Sequence, residues 1–219
     1  MSLYLIQLTY AKLFAEKDGF SPGWFFRRSA VLRHFNNETR TYKGNAMLVI
    51  FSGLPGTGKT TLARALATDI KAVFLRIDSL ENALAESGLV ENINDIGPAG
   101  YMAAYALAAD NLRLGLSVVA DSVNPFAITR DAWRDVALKC GKAYLEIEVR
   151  CSDAAEHRRR VECRRPDLPG FVLPTWVEVV NREYSDWDRD HLILDTARLT
   201  VAQALAAIND HMQNVTAAC

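Results

Sequence analysis

No apolar run in this 219-residue chain approaches the ~20 residues that a helix needs to cross a bilayer. The N-terminus also lacks the charge, apolar core and small-residue cleavage site of a secretory signal. A soluble cytoplasmic protein with no membrane partner is therefore expected. Cysteine is scarce and unpatterned. Cys140, Cys151, Cys163 and Cys219 form no C-x-x-C pair and stand at no metal spacing from a histidine, which excludes a zinc finger or ribbon and suits free thiols in a reducing compartment. A formal net charge of −1 excludes a global pull toward nucleic acid or anionic lipid, so contact with a polyanion has to come from a local cluster. Internal repeats are missing, as are low-complexity tracts beyond alanine-rich helix faces, which excludes solenoids.

What remains is an apolar fraction of 50%, enough for the full core of one α/β domain. Residues 1–46 stand apart: Trp24, Phe25 and Phe26 mix with Arg27, Arg28 and Arg33 and show no sustained period beyond a short helix near 4–17. They are expected to be an N-terminal extension, poorly ordered or contributed by an upstream start codon, with a partner-binding arm as the rival. The working domain is expected over 47–219. From Met47 onward strand and helix patterns alternate, which predicts a parallel sheet covered on both faces. Strands are expected at 48–51, 73–77, 117–120, 143–149 and 192–194. Helices are expected at 59–69, 79–86, 101–114, from Thr129 or Asp131 as cap to 139, at 153–165 and 175–184, and from 200 onward.

The stretch 47–65, MLVIFSGLPGTGKTTLARA, runs an apolar strand into a glycine-rich turn and then a helix. Gly53, Gly56 and Gly58 let the backbone curl so that successive N–H groups point into one concavity at a helix N-terminus, which suits phosphate oxygens. With Leu54, Pro55 and Thr57 they spell G-x-x-x-x-G-K-[ST]. Lys59 adds a cation at the β- and γ-phosphates, Thr60 offers a hydroxyl to magnesium, and Thr61 follows on the helix.

Ligands of an open parallel sheet bind beyond the carboxyl ends of its strands. Asp78, after the second strand, is placed to orient an acceptor hydroxyl and take its proton; Asp78-Ser79-Leu80-Glu81 also reads as a capping box. Asp121 closes the third strand as a magnesium-holding aspartate would. No glutamate follows it and no N-K-x-D motif occurs, which argues against mechanical ATPases and GTPases. The run AEHRRRVECRR puts Arg160 and Arg164 four apart, on one helical face, as a lid over the triphosphate at about 153–170, with 166–170 as a hinge. The bland alternative is a solvated basic face paired with Glu156 and Glu162. His157 reads as a surface residue, Trp133, Trp176 and Trp187 as packing, Asp188 and Arg189 as a local pair, and 195–197 as a border for adenine.

The P-loop GLPGTGKTT, the aspartate in RIDSLENAL, the segment VVADSVNP and the arginine stretch with RRPDLPG together resemble the small P-loop kinases. The likeness is to the AAA-type "predicted kinase" group near 5′-polynucleotide kinases, zeta toxins and chloramphenicol phosphotransferases, and it covers about 47–215. It implies a five-stranded sheet ordered 2-3-1-4-5 and an ATP–magnesium phosphotransferase. It also implies phosphate-binding roles for Gly58, Lys59 and Thr60, an acceptor-orienting role for Asp78 and a lid role for Arg160 and Arg164. In 5′-polynucleotide kinases an arginine commonly stands three residues after the aspartate, whereas this chain has Glu81. A carboxylate there repels a nucleic-acid phosphate, so a neutral polyhydroxyl or amine-bearing small molecule is the expected acceptor. The alternatives left open are a 5′-hydroxyl nucleic-acid kinase and a non-catalytic ATP-binding switch. Nothing in the sequence specifies an oligomeric state.

Overall fold

Six consecutive residues, MLVIFS, form β1 (Met47–Ser52), and every one of them is buried. A strand with no polar face belongs at the centre of a sheet covered on both sides. The computed structural model describes residues 46–217 except 89, 91 and 92, and the expected extension 1–46 lies outside them but for Ala46. β1 pairs in parallel with β3 (Val118–Asp121) on one side and β4 (Ala143–Arg150) on the other. β2 (Val73–Arg76) and β5 (Leu192–Asp195) form the edges, so the order is β2-β3-β1-β4-β5, all parallel.

The two faces of β1 seed two cores. Met47, Val49 and Phe51 pack with Leu62, Leu66 and Ile70 of α1 (Lys59–Ile70) and with Ala204, Ile208 and Met212 of the last helix, α7 (Val201–Ala217). Both helices present apolar residues four apart, the spacing of one helical face. Leu48 and Ile50 point the other way, against Tyr101, Ala104, Ala108 and Leu112 of α3 (Ala99–Arg113) and Trp133 and Ala137 of α4 (Ala127–Lys139). The remaining helices are α2 (Ile77–Glu86), α5 (Ala154–Cys163) and α6 (Trp176–Val180), with a 3₁₀ turn at Ile93–Ile96.

Several local expectations are corrected. α2 begins at Ile77, capped by the extended backbone of Arg76 with no side-chain hydrogen bond, so Asp78 lies inside the first turn and forms no capping box. Phe126, not Thr129 or Asp131, is the N-cap of α4; the Thr129 hydroxyl donates to the Phe126 carbonyl at 2.8 Å. The helix expected over 175–184 stops after Val180. Thr175 and Glu178 form a full capping box at its start, but Ser185 N–H donates to the Pro125 carbonyl at 2.8 Å, so the following backbone is committed elsewhere. α5 ends at Cys163 and Arg164 is extended, two residues before Pro166, a residue that disfavours helix just ahead of it.

Candidate active site

Gly53 has φ 137°, and a Cβ there would lie 2.3 Å from the Val149 carbonyl oxygen, so only glycine lets the turn pass this close to β4. Gly56, at φ 83°, is crossed by Val161 of α5, whose Cγ2 would sit 2.5 Å from an added Cβ. The turn between them closes on itself: Thr57 donates through N–H and Oγ1 to the Leu54 carbonyl. Gly58, left-handed at φ 93°, is the N-cap of α1, and no side chain caps the helix. The first-turn amides are thus left for an anionic ligand.

Lys59 is buried at the base of this turn, its Nζ 3.3 Å from Oδ1 of Asp121. Asp121 is 2% exposed, and neither carboxylate oxygen has a hydrogen-bond partner among the described residues. The Lys59 ammonium offsets the charge at Oδ1, and the acceptor capacity left over on a buried carboxylate suits a further cation. Oxygen donors are the kind magnesium takes, and Thr60 on the first turn of α1 is the other protein group that could hold it. Thr61 is exposed and lines an open groove between α1 and α7, on the far side of the helix from the sheet.

Asp78 stands half-exposed at the next strand end. Arg76, the last residue of β2, reaches it with Nη2 at 3.3 Å and holds Asp167 from the loop after α5 with Nη1 at 2.6 Å and Nη2 at 3.1 Å. Glu81, one turn further along α2, is pressed against Gly100, where Oε1 would lie 3.1 Å from an added Cβ. Burial, then the Asp78 charge, push its carboxyl up to about 7 against the pull of Arg182. Burial likewise raises the Tyr101 phenol beside it.

The arginine helix leans on the phosphate turn. His157, expected at the surface, is 8% exposed; its Nε2–H donates to the Pro55 carbonyl at 2.8 Å, with the Trp176 ring edge-on. The ring is apolar enough to pack and carries one donor for the loop carbonyl of Pro55. Arg160 donates to Glu156 at 2.8 Å, to the Thr196 hydroxyl at 2.8 Å and to the Thr196 carbonyl at 3.1 Å; that hydroxyl in turn donates to the Thr57 carbonyl. Arg158 and Arg159 pair with Glu162 and Glu156, as the solvated-face reading expects. Arg160 and Arg164 do not share a helical face, because Arg164 lies beyond the end of α5. Arg164 instead feels the charges of Asp78, Arg76 and Asp167, while burial lowers its pKa.

A family model described as an AAA domain matches residues 48–170, more than half of the chain. The chain belongs to this AAA domain family. Its fold is that of the small P-loop kinases. It superposes on a candidate kinase from Chloroflexus aurantiacus with TM-score 0.62 at 21% identity, covering 80% of this chain and 100% of that one. An APS kinase from Mycobacterium tuberculosis, solved with AMPPNP and APS, gives TM-score 0.59 at 19% identity over 78% and 99% of the two chains. A gluconokinase from Sinorhizobium meliloti gives 0.51 at 20% identity over 78% and 95%. At these identities the likeness is one of fold. No curated protein matches the chain in sequence.

Sequence reasoning missed a second set of residues in this AAA domain. Arg130, fully buried in α4, donates to four carbonyls, those of Asn124, Pro125, Ser185 and Asp186, with its guanidinium 4.3 Å from the Trp187 ring centre. Arg189 pairs with Asp188 as expected, but its bidentate partner is the buried Glu146 of β4, at 2.8 and 2.7 Å. Glu148, two residues on, is held by Arg150 and His191. Two carboxylates on alternate positions of a strand ordinarily signal a solvent face. Here the 184–191 segment covers them.

Proposed function

We propose that this AAA domain is a cytoplasmic ATP-dependent kinase that transfers the γ-phosphoryl group to a hydroxyl of a small molecule, and that 47–219 is the working unit. The observation that carries this is Asp121: a carboxylate 2% exposed, ion-paired through Oδ1 with Lys59 beneath the phosphate turn and taking no hydrogen bond from the described residues, with Asp78 half-exposed one β-strand farther along the sheet. In this reading the amides of 53–61 and Lys59 bind the phosphates, and Thr60 and Asp121 hold magnesium. The ion, when bound, neutralises charge on the β- and γ-phosphates. Asp78 orients the acceptor hydroxyl and takes its proton as the oxygen attacks phosphorus and ADP departs. Arg160 and Arg164 border the same mouth from the arginine segment at 153–170. The free thiols Cys140, Cys151 and Cys163 accord with a reducing compartment.

The names of the similar structures support a small acceptor. Half-buried Glu81 beside Asp78 supplies no cation for a nucleic-acid phosphate, which favours a polyhydroxyl or amine-bearing compound. The test is ADP release with ATP and magnesium across sugars, aminoglycosides, nucleosides, chloramphenicol-like alcohols and 5′-hydroxyl oligonucleotides, with Asp78→Asn alongside. Stimulation by one class, lost in Asp78→Asn by on the order of a hundredfold or more, is expected. Tight ATP binding with no stimulation by any class would favour the switch.

A further inference from the structure

Arg76 offers one guanidinium to two carboxylates. Nη1 is committed to Asp167 at 2.6 Å, Nη2 is divided between Asp167 at 3.1 Å and Asp78 at 3.3 Å, and the buried Nε has no hydrogen-bond partner among the described residues. Asp167 belongs to the loop that follows the arginine helix, and Arg64 of α1 holds it from the other side at 3.2 Å. Arg76 itself is 7% exposed with Asp167 seated, so its charge is met by carboxylates rather than by water. Asp78 is the carboxylate it already touches.

We infer that Arg76 is a positioning residue that links the seating of the arginine segment to the availability of Asp78: while Asp167 is seated it draws the guanidinium away and leaves the Asp78 carboxylate open for an acceptor, and when Asp167 leaves, Arg76 closes onto Asp78 and masks it. The inference rests on the kinase reading for its consequence, not for its geometry. Asp167 is half-exposed and lies in a loop, so its removal leaves the core packing untouched. The hydrogen bonds and charges of Asp167 and Asp78 outweigh the burial that opposes the charge on Arg76, and its pKa rises, which keeps the competition ionic at working pH.

The experiment has two arms on the full chain. In a crystal structure of Asp167→Ala, Arg76 is expected to carry both Nη atoms to Asp78; a guanidinium that keeps its single long contact, or turns to Asp121, overturns the inference. In kinetics with ATP and the acceptor panel, Asp167→Ala is expected to lower kcat roughly tenfold, the scale of one charge-assisted hydrogen bond, with little change in the KM for ATP. The double variant Arg76→Gln/Asp167→Ala is expected to recover most of that loss, because no guanidinium is left to mask Asp78. A double variant no better than Asp167→Ala would mean that the ion pair is a simple tether and would overturn the inference. Lack of acceptor stimulation in the wild type would overturn the kinase reading alone, since the crystal structure still decides where Arg76 goes.

Discussion

Burial against α3 and the neighbouring Asp78 charge push the Glu81 carboxyl up to about 7, against an ordinary value near 4.5. The folded state therefore binds a proton that the unfolded chain releases, and stability falls as pH rises from about 4.5 through 7. Glu81→Gln is expected to unfold at higher temperature than the wild type at pH 8, by on the order of 1–2 kcal/mol, with the difference gone near pH 5; a thermal scan at both pH values checks this. Asp167 has the opposite sign. The hydrogen bond from Arg76 pulls its carboxyl down to about 2, so its contribution is complete above about pH 4 and is lost as the pH falls toward 2. Urea midpoints of wild type and Asp167→Asn are expected to differ at pH 6 and to converge at the acid end. Residue chemistry of this kind was only partly legible. Glu81 and Asp78 stand three apart in the sequence and were expected on one side of the acceptor site, whereas Asp167 lies 91 residues from Arg76 and no spacing announces that pair.

The phosphate turn and α5 form one packed unit, since Gly56 leaves room for Val161 and the His157 ring holds the Pro55 carbonyl. Gly56→Ala adds a left-handed alanine to a contact with no space. It is expected to cost at least about 2 kcal/mol and roughly 4–8 °C in Tm, with weakened ATP binding by calorimetry. Arg130 plays the comparable part for the loops after β3 and α6. Arg130→Met takes the arginine donor from four carbonyls, of which Pro125 keeps the Ser185 N–H, and should cost about 3 kcal/mol or more in urea unfolding. Arg130→Lys is expected to recover little, because an ammonium does not span four acceptors as a planar fork does. The existence of nearly every strand and helix was readable from apolar period and glycine punctuation. Their ends were not: α6 stops early where Ser185 N–H turns to the distant Pro125 carbonyl, and Asp78 fails to cap because α2 starts one residue before it.

At the scale of the whole molecule, complete chains of similar fold occupy only 78–80% of this one. A chain beginning at Met47 is accordingly expected to fold, to bind ATP as the full chain does and to keep its unfolding temperature, measured by calorimetry on the two side by side. By itself the sequence determined the alternating α/β pattern, the parallel sheet with its apolar first strand, and the phosphate turn, because each depends on residues close together and on a local period. Tertiary structure alone decided which charges meet. It turned Arg164 out of the arginine helix toward the Asp78 group, buried His157 on the phosphate turn, covered Glu146 and Glu148, and gave Arg76 two carboxylates to choose between. Those contacts join elements far apart along the chain, and their energies depend on burial that exists only once the layers have packed.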